Sequence, residues 1–116
     1  MYVDGFVVPV PKNKLDEYKA FSTKASKMWK DKGALSYVEC VADDVKPGEV
    51  TSFPQAVKLK PDEVVVFSWI TYESKEARDK INKQIMEDPT MKEMGEHLPF
   101  DGKRMFMGGF KPIVEA

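Results

Sequence analysis

The segment Val64–Tyr72 reads VVVFSWITY and has the strongest strand pattern in the chain. β-Branched and aromatic residues fill it, and no Gly or Pro interrupts it. Alternation of side chains places two sets on opposite faces: Val64, Val66, Ser68 and Ile70 on one, and Val65, Phe67, Trp69 and Thr71 on the other. Both sets are mostly apolar. The pattern therefore predicts a strand in a sheet that is covered on both sides.

The residues before this strand alternate between strand and helix patterns. Tyr2–Val10 is rich in β-branched residues and stops at a proline, and Ala34–Ala42 is a second such run. Between them, apolar residues recur at steps of three and four, the period of an amphipathic helix: Leu15, Tyr18, Phe21, Ala25, Met28 and Trp29. Asn13 is the predicted N-cap of this helix, and Gly33 is the residue expected just after its end.

After Tyr72 the pattern returns to helix and then to strand. Ser74 is the predicted cap of a second helix, which Asp88-Pro89 interrupts and restarts. Lys103–Phe110 is the last predicted strand. At 116 residues the chain forms one domain, residues 1–116. The order β-α-β-β-α-β predicts an α+β ferredoxin-like sandwich, a four-stranded antiparallel sheet with both helices on one face.

Helices on one face leave the second apolar face of the sheet to be covered by something else. The first strand repeats the pattern, because Phe6, Val8 and Val10 lie opposite Val3 and Val7. Monomeric soluble proteins rarely expose an apolar patch of that size. We therefore expect a homodimer in which a second copy covers this face and the two sheets form a dimeric α/β barrel.

Composition disfavours several classes of function. The chain carries 18 basic and 19 acidic residues, a net charge of −1, and lacks the basic excess of a nucleic-acid-binding protein. No apolar run approaches the roughly 20 residues of a membrane helix, and the N-terminus lacks a secretory-signal pattern. A single cysteine fits a reducing cytoplasm. One histidine and one cysteine cannot form an N/S metal site, and we expect neither a metal nor a cofactor.

Four residues stand out as charged or aromatic side chains in apolar strand surroundings: Asp4, Glu39, Trp69 and Arg104. A buried charge costs free energy unless it is paired, so each charged member needs an explanation. Two interpretations stay open. The three charged residues form an ion-pair network that fixes the sheet or the dimer, or all four anchor a small carboxylate or phenolic ligand in an apolar pocket.

Cys40 and His97 are the other candidates for chemistry, and a structural interpretation is simpler for both. Cys40 is adjacent to Glu39 in the second strand, so the two face opposite sides of the sheet. We expect Cys40 to be a small buried hydrophobic residue. His97 lies in a predicted loop, where a lone histidine is usually exposed, and nothing in the sequence pairs it with a nucleophile.

The last twenty residues, HLPFDGKRMFMGGFKPIVEA, combine turn residues with apolar residues. Asp101-Gly102 predicts the turn into the last strand, and Gly108-Gly109 predicts a bulge or a close approach of another backbone. The tail after Phe110 is expected to cross onto the partner subunit. Aromatic and soft side chains from the third and last strands are core residues that double as candidate pocket lining: Phe67, Trp69, Met105, Phe106 and Met107.

Four collinear segments resemble the YbaA-like family of small bacterial proteins: YVDGFVVPVP, ECVADDV, FSW with SKEARD after it, and PFDGKRMFMGGFKPIV. The resemblance covers nearly the whole chain. It implies a dimeric α/β-barrel fold and no particular reaction. Wider members of that fold include cofactor-free monooxygenases, haem-degrading enzymes and small-molecule-binding proteins, but a shared fold does not transfer function.

Haem breakdown is disfavoured by the residues themselves. Haem-degrading members of the fold use an asparagine on strand one, a tryptophan on strand three and a histidine on the second helix. Trp69 matches the tryptophan by location, Asp4 stands where the asparagine would be, and the second helix contains no histidine. Two of the three positions depart from the pattern.

The sequence favours a homodimer that binds a small apolar or aromatic ligand between sheet and helices, with Asp4, Glu39, Trp69 and Arg104 as contact residues. One alternative is a cofactor-independent monooxygenase that positions an electron-rich substrate for oxygen. Another is a structural or stress-related interaction protein without a ligand. The sequence identifies neither a specific ligand nor a catalytic residue.

Overall fold

The computed structural model describes residues 1–116 and contains every predicted strand and helix. The elements, in chain order, are β1 (Tyr2–Pro11), α1 (Leu15–Asp31), β2 (Ser36–Val41), α2 (Phe53–Ala56), β3 (Glu63–Tyr72), α3 (Lys75–Glu87), α4 (Pro89–Gly95) and β4 (Phe106–Phe110). None of the helices is long and apolar enough to cross a membrane.

The four strands form one antiparallel sheet in the order β2-β3-β1-β4. This is the ferredoxin-like order, so the predicted α+β fold is confirmed. In β1 and β3, Asp4 is paired with Ile70 and Val8 with Val66. Glu39 of β2 is paired with Ser68 of β3. Because paired residues share a face, this register determines which side chains meet the helices.

Two apolar clusters hold the helices against the same face of the sheet. One cluster joins α3 to β3 and to the end of α1: Ala34, Ile70, Tyr72, Ile81 and Ile85. The other joins α1 to the opposite end of β1 and β3: Val8, Val10, Tyr18 and Val66. The alternation read from VVVFSWITY is thus realised, with the even-numbered residues of β3 facing the helices. The gap between the two clusters is where a cavity forms.

Local signals set most of the helix ends. The Ser74 hydroxyl accepts the Ala77 N–H at 3.0 Å, and the Asp88 carboxylate accepts the Thr90 N–H at 2.8 Å, so both predicted caps are confirmed. Gly33 has a φ of 114° directly after α1, as its predicted position requires. The predicted cap at Asn13 is wrong. The chain makes a 3₁₀ turn over residues 12–14 first, and no side chain caps α1.

The last strand begins three residues later than predicted, at Phe106 instead of Lys103. The Asp101 carboxylate accepts the Lys103 N–H at 3.0 Å, and the Asp101 carbonyl accepts the Arg104 N–H at 3.2 Å. These bonds hold residues 101–104 in a turn, which the side chain of Arg104 reinforces by bonding to Asp101 at 2.9 Å. The turn therefore delays strand pairing with β1.

The face of the sheet turned away from α1 and α3, called here the open face, is only partly covered. The helix α2 covers one end of it, where Phe53 packs edge-to-face against Phe67 at 5.7 Å. Val65 beneath this end is only 3% exposed. Large apolar side chains of the open face nevertheless remain accessible, including Phe67, Phe106 and Phe110. The chain itself therefore supplies part of the cover that the sequence assigned wholly to a second copy.

Candidate functional site

A cavity of about 430 Å³, called here the inner cavity, lies between the sheet and the helices. Fourteen of its 17 lining residues are hydrophobic. The stripe of α1 read from the sequence forms one wall through Tyr18, Phe21, Ala25 and Trp29. Phe100, from the loop after α4, closes one end by edge-to-face contacts with the rings of Tyr18 and Phe21, at 5.6 and 6.0 Å. The mouth is marked by three lining residues that solvent reaches: Met86, Leu98 and Met107.

One carboxylate reaches this apolar space, and two phenols hold it. Tyr18 of α1 donates to Glu39 Oε1 at 2.8 Å, and Tyr37 donates to Glu39 Oε2 at 3.0 Å. Tyr37 and Glu39 are two residues apart in β2, so both point toward the helices. Burial raises the pKa of each tyrosine well above its ordinary value, and the neighbouring Glu39 charge raises it further. We call Tyr18, Tyr37 and Glu39 the carboxylate cluster.

A second space, of about 520 Å³, lies along the outer side of the same cluster, between α1 and β2. We call it the outer groove. It is more polar than the inner cavity, with Asp16, Lys19 and Thr23 in its wall. Ser22 also lines it, and its hydroxyl is buried without a hydrogen-bond partner. The carboxylate cluster lines both spaces, so it is the one polar feature that they share.

Asp4 is buried as predicted, but it belongs to a network behind the inner cavity. Its Oδ2 accepts hydrogen bonds from Tyr72 at 2.9 Å and from Asn82 at 3.3 Å, and Arg78 lies 3.6 Å from its Oδ1. Asn82 lines the inner cavity and accepts the indole N–H of Trp29 at 3.1 Å. Asp4 is thus one side chain removed from the cavity, and it helps to orient Asn82.

The glycine pair near the chain end serves this same network. A side chain at Gly109 would overlap the guanidinium of Arg78 and the ring of Tyr2. Arg78 stacks 4.8 Å above the Tyr2 ring and donates to its hydroxyl at 2.9 Å. The predicted bulge or approach of another backbone is wrong, because Gly108 and Gly109 pair in regular register with β1 and the atoms close to Gly109 belong to two side chains.

Arg104 lies apart from both other charged candidates. Its guanidinium bonds Glu63 through two nitrogens, at 2.7 and 2.6 Å, and also bonds Asp101 and the carbonyl of Lys58. These bonds lower the pKa of Glu63, with the hydrogen bond from Arg104 as the largest cause. Arg104 does not line the inner cavity. The expected network of Asp4, Glu39 and Arg104 does not form, because each of the three has its own partners.

Trp69 and Cys40 lie on the open face, away from the inner cavity. Trp69 is paired with Gly5 and Val38 in the sheet, and its ring packs edge-to-face against Phe67 at 5.8 Å. Cys40 is exposed in the isolated chain, so its interpretation as a buried hydrophobic residue is corrected. Alternation holds, since Glu39 faces the helices while Cys40 is paired with Phe67.

His97 is exposed in the loop after α4. Its backbone N–H bonds the carbonyl of Met94 at 3.2 Å, and its side chain makes no hydrogen bond to the protein. The chain contains no group of three or more His, Cys, Asp or Glu side chains placed to hold a metal ion.

Of the four residues singled out in the sequence, only Glu39 lines the inner cavity. The roles of Tyr18, Tyr37 and Asn82 were not predicted from the sequence. The signal for Tyr37 was available, because a tyrosine two residues before a strand carboxylate shares its face. Tyr18 and Asn82 gave no such signal, since each joins its partner only through the tertiary fold.

Comparisons with known proteins agree on family and fold. A family model described as "Protein of unknown function (DUF1428)" matches residues 1–102. The "Uncharacterized protein YbaA" of Escherichia coli K12 is 56% identical over 114 residues, covering 98% of this chain and 97% of that one, and the Shigella flexneri protein gives the same values.

Solved structures with low sequence identity share the fold. A structure described as a dimeric ferredoxin-like protein, from an uncultured marine organism, has a TM-score of 0.68 at 12% identity and covers 100% of this chain and 98% of its own. An Arabidopsis thaliana protein has a TM-score of 0.63 at 11% identity, with 100% and 99% covered.

Proposed function

The chain belongs to the DUF1428 family of proteins of unknown function, and we propose that it acts there as a homodimer that binds a small, mostly apolar molecule in the inner cavity. The cavity carries the proposal. A volume of about 430 Å³ falls within the range of roughly 300–1,000 Å³ typical of small-molecule sites. Its lining combines a large apolar surface with three polar residues, Glu39, Ser68 and Asn82, which is the composition of a pocket that binds by shape and orients its ligand by a few polar contacts.

Glu39 is the proposed polar contact, and the other three sequence candidates take different roles. Asp4 supports the site indirectly through Asn82, which lines the cavity. Trp69 contributes to the open face, and Arg104 fastens the turn before β4 to Glu63. The proposed ligand contacts are therefore Glu39, the one of the four sequence candidates that lines the cavity, and the aromatic wall of α1.

The open face supports the homodimer. Phe67 is 39% exposed, Phe106 46% and Phe110 64%, which is a large apolar surface for an isolated chain. Ile113 in the tail is 90% exposed, so the tail is free to lie on a partner. The ferredoxin-like protein of similar fold is described as dimeric. We propose a reducing cytoplasm for this dimer, since the exposed Cys40 would then remain a thiol.

The cavity is tested by filling it from α1. Ala25 is 2% exposed and lines the cavity, whereas Ala20 lies on the solvent side of the same helix. We expect wild type and Ala20→Leu to bind the neutral fluorophore N-phenyl-1-naphthylamine alike, and Ala25→Leu to bind it at least about tenfold more weakly. Native mass spectrometry of the dimer from its own host should show a small adduct that Ala25→Leu lacks. Equal fluorophore binding by all three proteins would contradict the proposal.

The dimer is tested by charging the open face. Phe67→Asp should convert the protein to a folded monomer at micromolar concentration in sedimentation velocity, because two carboxylates would be buried in the interface. Val50→Asp is the matched control, since Val50 is 94% exposed in a loop and should leave the dimer intact. A monomeric wild type, or a dimeric Phe67→Asp, would rule out this interface.

A further inference from the structure

The inner cavity has a definite charge. Glu39 is its only carboxyl group, and no Lys, Arg or His side chain lines it. The cation that the sequence offered, Arg104, is occupied by Glu63 and Asp101 on another part of the molecule. A carboxylate ligand would therefore place a second negative charge beside Glu39 in apolar surroundings, with no cationic side chain in the cavity lining to offset it.

The carboxylate cluster offers only acceptors to a ligand, whereas elsewhere in the lining Ser68 has a hydroxyl and Asn82 a second amide hydrogen that can donate. Each phenol of the carboxylate cluster uses its one hydrogen on Glu39, so its oxygen retains only acceptor capacity. A carboxylate that receives two such bonds is itself an acceptor only. The indole N–H of Trp29 is engaged by Asn82, and Asn82 in turn donates to Asp4. A ligand group placed at Glu39 must therefore supply the hydrogen-bond donor.

Aromatic rings surround the carboxylate cluster. Tyr18, Phe21, Trp29, Tyr37 and Phe100 all line the cavity and present ring faces or edges to it. The negative face of an aromatic ring attracts a cation, most strongly where water is excluded. Charge, hydrogen-bond capacity and ring surface therefore all favour the same kind of group.

Building on the proposed function, we infer that the inner cavity takes a hydrophobic amine: a protonated amino group that bonds Glu39, on an aromatic-sized apolar body that fills the space toward Ala25 and Met91. A neutral alcohol would satisfy the donor requirement without the charge. A carboxylate would satisfy neither.

The two phenols of the carboxylate cluster keep donating to Glu39 in neutral and mildly alkaline solution. Because burial, and then the Glu39 charge, raise the pKa of Tyr18 and Tyr37, both phenols stay protonated in neutral and mildly alkaline solution. They remain donors to Glu39 throughout that range, and Glu39 remains oriented toward the cavity.

The inference is tested with three probes that share one apolar body: 1-naphthylmethylamine, 1-naphthylmethanol and 1-naphthoate. Each competes with N-phenyl-1-naphthylamine for the wild-type protein at pH 7.5. We expect the amine to bind about tenfold to a hundredfold more tightly than the naphthoate, with the alcohol between them. In Glu39→Gln the affinity for the amine should fall about tenfold or more, while the affinity for the alcohol should change much less.

The outcomes separate this inference from the proposed function. If the fluorophore binds wild type and is lost in Ala25→Leu, but naphthoate binds as well as the amine, the cavity is real and the amine inference is wrong. An amine preference that survives unchanged in Glu39→Gln would overturn it too. If neither the fluorophore nor any naphthyl probe binds wild type, the proposed function itself fails. The wild-type ranking needs no variant, so a Glu39→Gln protein that folds poorly would not block the test.

Discussion

Glu39 and Glu63 are two carboxylates of one sheet that the protein holds in opposite ways. Glu63, at the start of β3, is 6% exposed and receives two bonds from the Arg104 guanidinium and a third from the Lys60 N–H at 2.7 Å. Glu39, in β2, receives two phenol bonds and no cation, and it lines a cavity.

The difference separates a structural charge from a candidate site. The charge on Glu63 is neutralised by an arginine whose planar fork matches the carboxylate, so nothing remains for a ligand to satisfy. Two phenols bond Glu39, but it forms none of the ion pairs of the chain. A partly buried charge beside a cavity, without its counterion, is the arrangement from which a binding function is inferred.

The largest effect is expected from removing the counterion of Glu63. Arg104→Met leaves a buried carboxylate unpaired and frees the turn before β4, so we expect the Tm to fall by about 10 °C or more. The sequence interpretation made Arg104 a ligand contact, so under it the same substitution would weaken ligand binding instead of stability. Thermal unfolding followed by circular dichroism measures the effect.

The double variant Arg104→Met with Glu63→Leu is the control. Replacing both members of a buried ion pair by apolar groups is often nearly neutral, whereas removing one member is costly. We therefore expect the double variant to be more stable than Arg104→Met alone. If the two variants melt together, the loss comes from the turn at Asp101 instead of the unpaired Glu63.

The same substitution in the two carboxylates gives the next largest effect. Glu63→Gln replaces charge-assisted bonds by neutral ones and should cost about 1.5–3 kcal/mol of unfolding free energy. Glu39→Gln keeps an acceptor for one tyrosine and should cost about 1 kcal/mol or less. Urea unfolding at pH 7 compares them. Equal losses would mean that both carboxylates are structural, and the distinction drawn between them would fail.

The dependence of stability on pH in acid tests the structural role assigned to Glu63. Its folded-state pKa is lowered, chiefly by the hydrogen bond from Arg104, so its stabilising contribution is present above the unfolded pKa of about 4.3. That contribution is lost as pH falls through the lower folded value. We expect the stability curves of wild type and Glu63→Gln to converge as pH falls below about 4. Parallel curves would indicate that Glu63 has no special stabilisation.

The fold could be predicted because its signals are local. Val64–Tyr72 carries its own period, Ser74 caps three residues ahead, and Gly33 marks the end of α1. The ion pair between Arg104 and Glu63 could not be predicted, because the two residues lie 41 positions apart in the sequence. The late start of β4 has a local origin instead, since the bonds from Lys103 and Arg104 to Asp101 extend the predicted Asp101-Gly102 turn to residue 104.

Only part of the candidate site could be predicted from the sequence, for the same reason as with the ion pair. Glu39 stood out because a carboxylate among Val38, Cys40 and Val41 is unusual in a strand. Tyr18 joins it from 21 residues away, and as part of an apolar stripe it looked like ordinary core. Grouping Glu39 with Asp4 and Arg104 assumed that buried charges pair with one another. The fold gives each of them a separate set of partners.

The smallest expected effect is on the free energy of unfolding at alkaline pH, and it concerns Tyr37, which bonds Glu39. The pKa of Tyr37 is raised in the folded state, first by burial and then by Glu39, whereas in the unfolded chain it is about 10. Its stabilising contribution is complete below that value and falls as pH rises above it, by about 1 kcal/mol at pH 10.5. Tyr37→Phe should flatten the alkaline limb of the stability curve by that amount, and Glu39→Gln should change it little, because burial, the larger cause of the raised pKa, remains. Glu63→Gln should leave this limb unchanged, since Glu63 bonds no tyrosine.

Urea unfolding between pH 8 and pH 10.5, with tyrosinate absorbance at 295 nm, measures all three variants. A Tyr37→Phe protein that keeps the wild-type alkaline limb would show that Tyr37 titrates alike in the folded and unfolded chains, and that burial and Glu39 do not hold its proton.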